Sequence, residues 1–197
     1  MIPELGQVAL ILALVTALIQ SVFPIIGAHQ GNNAWMAVAV PAARAQLAFL
    51  AISYVCLTAV FITHDFSVLY AAQHSNSQLP LMYRISGVWG GHEGSLLLWV
   101  LMIGLWGGAV TLYNRRLPQE MSARVIGVLG LVSVGFILFT LFTSNPFERL
   151  VPAPADGRDL NPLLQDPGLA IHPPMLYMGY VGLVVPFAFA IAAMLGG

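Results

Sequence analysis

Five apolar stretches dominate the sequence, and each is long enough to cross a lipid bilayer as a helix. A crossing needs about 20 consecutive, mostly apolar residues. The stretches run approximately over residues 5–26, 46–63, 95–113, 125–143 and 175–195. In lipid the backbone must satisfy its hydrogen bonds internally, and these runs lack the alternation of barrel strands. We therefore predict an all-α, polytopic transmembrane helical bundle with about five spans, which forms a single transmembrane domain over residues 1–197.

Composition excludes several other classes of protein. Hydrophobic residues make up 58% of the chain and charged residues only 8%, whereas a soluble domain is about 25% charged. The net charge is −1 and lysine is absent, so the basic face of a nucleic-acid binder is missing. A lone cysteine, Cys56, excludes a disulfide framework, a thiolate metal site and a CxxCH attachment point for heme within this sequence.

Arginines predict the orientation in the membrane. The short connection 114–124 carries Arg115, Arg116 and Arg124, and positively charged connections face the cytoplasm. The C-terminus then also lies in the cytoplasm. The N-terminus and two long loops, about 64–94 and 144–174, lie on the outer side, which is the periplasm for a bacterial inner membrane. Long ordered loops are usually functional, so we expect any chemistry on this side.

Four of the five histidines fall on the predicted outer side, and only His29 falls inside. His64 precedes Asp65, and this pair either relays protons or ends a helix. His74 lies in a polar loop and is expected to be solvated. His92 is either a ligand or a hydrogen-bonded structural group.

The fourth outer histidine, His172, precedes two prolines. A residue before proline is disfavoured in helical conformation, and proline is favoured in the first turn of a helix. The sequence therefore predicts an extended His172 at the mouth of the fifth helix. The nearby helix dipole favours neutral imidazole, the form that ligates iron. The alternative is a helix-entry histidine bonded to a loop carbonyl.

Aromatic residues accompany this histidine. Trp89 and Trp99 flank the entry to the third span, in a segment with three glycines, and Tyr177 and Tyr180 follow His172. Indole faces at this level either stack on a flat macrocycle or anchor the chain at the membrane interface. The glycines allow close approach of a partner to the backbone.

Two segments carry a specific resemblance. WGGHEGSLLLW over 89–99 and DLNPLLQDPGLAIHPPMLYMGY over 159–180 resemble the CcmF-like proteins, the heme lyase subunits of bacterial cytochrome c maturation. A close relative of that family serves nitrite-reductase maturation. The resemblance runs along the whole chain.

The resemblance implies a multi-pass protein of the bacterial inner membrane with its active face in the periplasm. Such proteins receive heme from the chaperone CcmE and, with CcmH and CcmI, attach it to the CxxCH thiols of apocytochrome c. Two outer histidines hold the incoming heme, and His172 matches the first of them, as an axial ligand to the heme iron. Trp89, Trp99 and Tyr177 are then possible heme surroundings. A second, b-type heme lies within the membrane.

The sequence lacks other features of that family. The tryptophan-rich WWD segment, the second outer ligand and the intramembrane ligands have no match here. We therefore expect the N-terminal portion of a longer protein, without heme lyase activity by itself. Two alternatives remain open at this point, which are a transporter or permease segment and a scaffold subunit that binds no heme.

Overall fold

The computed structural model describes residues 1–113 and 116–196. Within these residues, five helical segments are long and apolar enough to span a membrane. They are Ile2–Gln30, Asn33–Ile62, His92–Tyr113, Gln119–Thr143 and Pro167–Met194. The predicted all-α bundle of about five spans is confirmed. Arg115, on which part of the orientation argument rests, lies outside the described residues.

Nine α-helices occur in the described residues: α1 (Ile2–Gln30), α2 (Asn33–Ala37), α3 (Ala39–Ile62), α4 (Leu69–His74), α5 (Leu81–Gly87), α6 (His92–Tyr113), α7 (Gln119–Thr143), α8 (Pro167–Gly182) and α9 (Val184–Met194). A 3-10 helix, Pro162–Gln165, precedes α8. Most helices begin or end several residues beyond the predicted spans, because the helical backbone continues through polar residues at the ends of the apolar runs.

A tight turn replaces the long connection expected over residues 27–45. Gly31 ends α1 in the left-handed conformation, with φ at 65°, which glycine adopts without steric cost. Asn32 then begins α2 by accepting hydrogen bonds from the amides of Ala34 and Trp35. The chain therefore reverses within two residues and continues as α2 and α3.

The bundle is built around α1, which packs mainly against α3 and α7. Helix α6 packs against α3, α7 and α8, and α9 packs against α7. The largest core cluster includes Leu10, Leu57, Leu97 and Ile137, one from each of α1, α3, α6 and α7. These four side chains are fully buried.

The two long loops meet at one end of the bundle. We call them together the cap, defined as residues 63–91 and 144–166. The amide of Leu69 donates to the carbonyl of Glu148 at 2.9 Å, and the amide of Leu150 donates to the carbonyl of Ser67 at 2.8 Å. Backbone hydrogen bonds therefore join the two loops, which the sequence places on the same side but does not pair.

Arg149 connects the cap to the start of α1. Its guanidinium donates to the carboxylate of Glu4, at 3.0 Å from Nε, and lies 3.5 Å from the carboxylate of Asp65. One arginine thus links the N-terminal helix to both cap loops.

Asp156 makes a second contact between the loops, and it predicts a pH dependence. Its carboxylate accepts hydrogen bonds from the amide of Ser77 at 2.9 Å and from the Ser77 hydroxyl at 2.7 Å. These bonds lower the pKa of Asp156. The stabilisation is therefore present above the ordinary aspartate pKa of about 3.9 and is lost as the pH falls below it.

We expect Asp156→Asn to reduce the free energy of unfolding at neutral pH, by an amount that shrinks below about pH 4. Unfolding curves in mixed micelles at several pH values measure this difference. Glu148→Gln is the matched control, because its exposed side chain lies on the same loop. A constant difference between wild type and Asp156→Asn across this pH range would contradict the assignment.

The fifth span is broken in two. Helix α8 ends at Gly182, Leu183 forms a turn, and α9 begins at Val184. Pro186 favours the break, because proline lacks the amide that would bond to the carbonyl of Gly182 and its ring crowds that carbonyl. By contrast, α1 continues through Pro24.

Candidate functional site

His172 lies within α8 rather than at its mouth. The helix begins at Pro167, and the carboxylate of Asp166 accepts hydrogen bonds from the amides of Gly168 at 2.9 Å and Leu169 at 3.1 Å. The predicted extended conformation is wrong because this aspartate–proline pair starts the helix before the His-Pro-Pro segment. His172 is therefore in the second turn, where the field of the helix N-terminus has fallen off. Its side chain is exposed.

The prolines leave gaps in the hydrogen bonding of α8, and a tryptophan fills one of them. Pro174 has no amide to donate to the carbonyl of Ala170, four residues earlier. Instead the indole Nε1 of Trp89 donates to that carbonyl at 2.9 Å. Ala170 is buried, so its carbonyl requires a partner from the protein.

A second indole holds the other end of the same helix. Trp106, on α6, donates its Nε1 hydrogen to the carbonyl of Met178 at 3.1 Å. Its ring also lies against Gly182, where an added Cβ would come within 3.2 Å of it. Sequence reasoning missed Trp106, and no proline lies four residues after Met178 to indicate this bond.

Trp99 and Tyr177 contact each other between α6 and α8. Their ring centroids are 5.2 Å apart, and Trp99 also stacks on Phe136 at 5.8 Å. Tyr177 is five residues after His172 and so lies on a different side of the helix. The structure brings the two aromatic residues together, but it does not bring His172 to them. Their place around a heme stays a prediction.

The glycines near Trp89 are required by contacts within the chain. A Cβ on Gly91 would lie 2.5 Å from Nε2 of His74, and one on Gly94 would lie 1.7 Å from the carbonyl oxygen of Val88. A Cβ on Gly90 would lie 2.9 Å from the side chain of Leu160. The close partner predicted for this segment is therefore the cap itself.

Tyr70 is the buried centre of this packing. Its hydroxyl donates to the carbonyl of Val88 at 3.0 Å and accepts from the amide of Gly91 at 3.0 Å. Burial raises the pKa of Tyr70 well above its ordinary value. The neutral hydroxyl can therefore fix the chain on both sides of Trp89 at any physiological pH.

The other cap-end histidines have partners in the protein. Arg84 donates to Nε2 of His64 at 2.8 Å and to the carbonyl of Ile62, so His64 has a helix-end role with Arg84 rather than Asp65. His74 is half-buried against Tyr70, not solvated as expected.

His92 is hydrogen-bonded within the protein, which was one of the two alternatives for this residue. Its Nδ1 lies 3.0 Å from the hydroxyl of Ser144. His172 differs from the other three, since it makes no side-chain hydrogen bond among the described residues.

The residues around His172 fit one side of a heme iron site. The imidazole is exposed, and Met175 and Leu176, one turn further along the same side of the helix, are exposed apolar side chains. An apolar surface beside an imidazole without a hydrogen-bond partner among the described residues would suit the apolar porphyrin ring of a heme. No group of three or more metal-ligating residues is found in the part of the chain that the structure describes. A heme iron needs fewer, because its porphyrin supplies four of its ligands.

A family model settles the classification. The model described as "Cytochrome C assembly protein" matches residues 89–196, more than half of the chain, and its span contains both the glycine segment and the His-Pro-Pro segment. The chain belongs to the cytochrome c assembly protein family.

Individual relatives agree with this family assignment. The chain is 61% identical over 198 residues to the cytochrome c-type biogenesis protein CcmF of Pseudomonas aeruginosa and 60% identical over 197 residues to that of Pseudomonas fluorescens. A solved structure, "Cytochrome c Heme Lyase CcmF", has a TM-score of 0.84 at 26% identity and covers 98% of the chain. The chain spans 30% of the length of each of these three proteins.

Proposed function

We propose that the chain supplies His172 as an axial ligand to the iron of the incoming heme during cytochrome c maturation. The observation that carries the proposal is the free imidazole of His172, fixed on a helix that two indole hydrogen bonds hold to the bundle. Membership of the cytochrome c assembly family supports heme as the ligand.

The chain's own residues have a limited part in the chemistry. The heme supplies the iron and the vinyl groups that form thioethers with cysteine thiols. His172 binds and orients, and the exposed Met175 and Leu176 exclude water from one edge of the site. We infer that catalysis also needs the remainder of a CcmF-length protein, because one axial histidine is half of a bis-histidine site.

The cap is the surface proposed for partner proteins. Residues 151–156 are exposed and lie in the loop that leads to α8. We propose that this surface receives the heme chaperone CcmE and the apocytochrome c held by CcmH and CcmI. The proposed location is the periplasmic face of a bacterial inner membrane, in agreement with the arginines at the opposite end.

Replacement of His172 tests the iron contact, and labelling tests the side of the membrane. Val151, in the cap, is 87% exposed. We expect Val151→Cys, in a Cys56→Ala background, to react with a membrane-impermeant maleimide added to intact spheroplasts. Gln119→Cys, exposed at the opposite end of the bundle, should react only after the membrane is permeabilised. Labelling with the reverse pattern would place His172 on the cytoplasmic side and would rule out the proposed function.

A further inference from the structure

We propose that Trp89 is a positioning residue for His172. Its indole N–H replaces the backbone N–H that Pro174 lacks, and so fixes the turn of α8 that carries the imidazole. This inference rests on the proposed function, in which His172 binds the heme iron.

The bond is made where the helix cannot make its own. In a regular helix the amide of residue 174 donates to the carbonyl of residue 170. Proline has no such hydrogen, and a proline inside a helix also loosens the preceding turn. The Trp89 indole reaches the orphaned Ala170 carbonyl at 2.9 Å. The indole thus gives the Ala170 carbonyl the donor that Pro174 cannot supply, and it also ties this turn of α8 to the bundle.

The position of the bond explains its effect on His172. Two residues along a helix correspond to a rotation of about 200°, so the Ala170 side of α8 faces the bundle when the His172 side faces away. Few other contacts hold α8 to the bundle, because among its described residues Ala170 and Val181 are the buried ones. The angle at which the imidazole is presented therefore depends on few anchors, and the carbonyl that Trp89 binds, on Ala170, is only two residues from His172.

Trp89 is itself held firmly. The Ser95 hydroxyl donates to the Trp89 carbonyl at 2.8 Å, and the Tyr70 hydroxyl binds the residue before it, Val88, at 3.0 Å. Gly90, directly after it, packs against Leu160. The glycine segment and the His-Pro-Pro segment lie far apart in sequence but are joined by this hydrogen bond. The first supplies the indole donor of Trp89, and the second supplies the Ala170 carbonyl that Pro174 leaves without a backbone donor.

The test uses a chimera in which this sequence replaces the aligned segment of the Pseudomonas aeruginosa relative. Trp89→Phe keeps an aromatic ring but removes the donor. We expect faster hydrogen–deuterium exchange of the α8 amides in heme-free protein and about tenfold weaker heme binding, the scale typical of lost outer-shell bonds. The low-spin electron paramagnetic resonance signal of the bound heme should broaden or diminish, because the imidazole is no longer held in one orientation.

Restoring the backbone donor should reverse these effects. Pro174→Ala returns an amide that can bind the Ala170 carbonyl, so the double variant Trp89→Phe/Pro174→Ala should regain slow exchange and most of the heme affinity. This rescue distinguishes a positioning defect from a general folding defect of Trp89→Phe, because a restored backbone hydrogen bond would correct only the first. Trp35→Phe is the matched control, since it removes an indole in α2, at the end of the bundle away from the cap, and His172 should keep its heme signal there.

Three outcomes separate a failure of the positioning role from a failure of the proposed function. If His172→Ala loses the heme signal while Trp89→Phe keeps both the signal and slow exchange, the positioning role of Trp89 is wrong and the ligand assignment stands. If His172→Ala itself keeps normal heme binding, the proposed function fails. Failure of Pro174→Ala to rescue a weakened Trp89→Phe variant also overturns the inference, because the effect would then come from lost indole packing.

Discussion

Alanine in place of His172 is expected to abolish the trapping of incoming heme while leaving the membrane protein intact. The imidazole is exposed and makes no side-chain hydrogen bond among the described residues, so its removal costs the fold little. An axial ligand is one of the few bonds by which a protein holds heme iron. In the chimera with the Pseudomonas aeruginosa relative, we therefore expect the heme trapped from CcmE and the yield of cytochrome c to fall to background, with unchanged amounts of protein in the membrane.

His29 provides the matched control for this experiment. It is also an exposed histidine, but it lies in the last turn of α1, at the end of the bundle away from the cap. His29→Ala should leave both heme content and cytochrome c yield at the wild-type level. Normal heme content in His172→Ala would instead favour a scaffold that carries no iron ligand. Equal losses in both variants would indicate a general defect in insertion.

The spans were predictable from sequence because the requirement for apolar length is simple. Their ends were not, since a helix ends where backbone groups find caps and not where hydropathy changes. Gly31 and Asn32 close one turn within two residues, although the apolar run resumes only near residue 46. At Asp166, a carboxylate cap starts α8 well before the apolar run. In both places local hydrogen bonds set the boundary, and hydropathy does not report them.

The sequence singled out candidate site residues, whose roles stay predictions, but it did not indicate their arrangement. His172, Trp89, Trp99 and Tyr177 follow from motif and resemblance, yet only a three-dimensional structure shows that Trp89 binds the Ala170 carbonyl. Pairing between loops about 80 residues apart depends on how the helices pack. One sequence feature does indicate this bond. A proline inside a helix leaves the carbonyl four residues earlier without a backbone donor, and a tryptophan side chain can supply one.

Gly94→Ala is expected to produce the largest loss of stability among simple substitutions in the cap region. The added methyl group would lie 1.7 Å from the carbonyl oxygen of Val88 and 2.6 Å from the hydroxyl of Tyr70. Neither atom can move alone, because the Tyr70 hydroxyl is bonded to that carbonyl and to the amide of Gly91. Overpacking costs about 1–3 kcal/mol, and contact with fixed backbone places this variant at the upper end of that range, measured as the free energy of unfolding in mixed micelles.

Gly107→Ala, in the same helix, gives the opposite expectation. An added Cβ at Gly107 meets no atom within 4 Å, and alanine is favoured over glycine inside a helix by about 0.5–1 kcal/mol. This variant should therefore be as stable as wild type or more stable. The comparison also decides what the glycine segment is for. If Gly94→Ala folded with normal stability but lost heme binding, the space above this glycine would belong to a ligand; a loss of stability in heme-free protein shows that Tyr70 and Val88 occupy it.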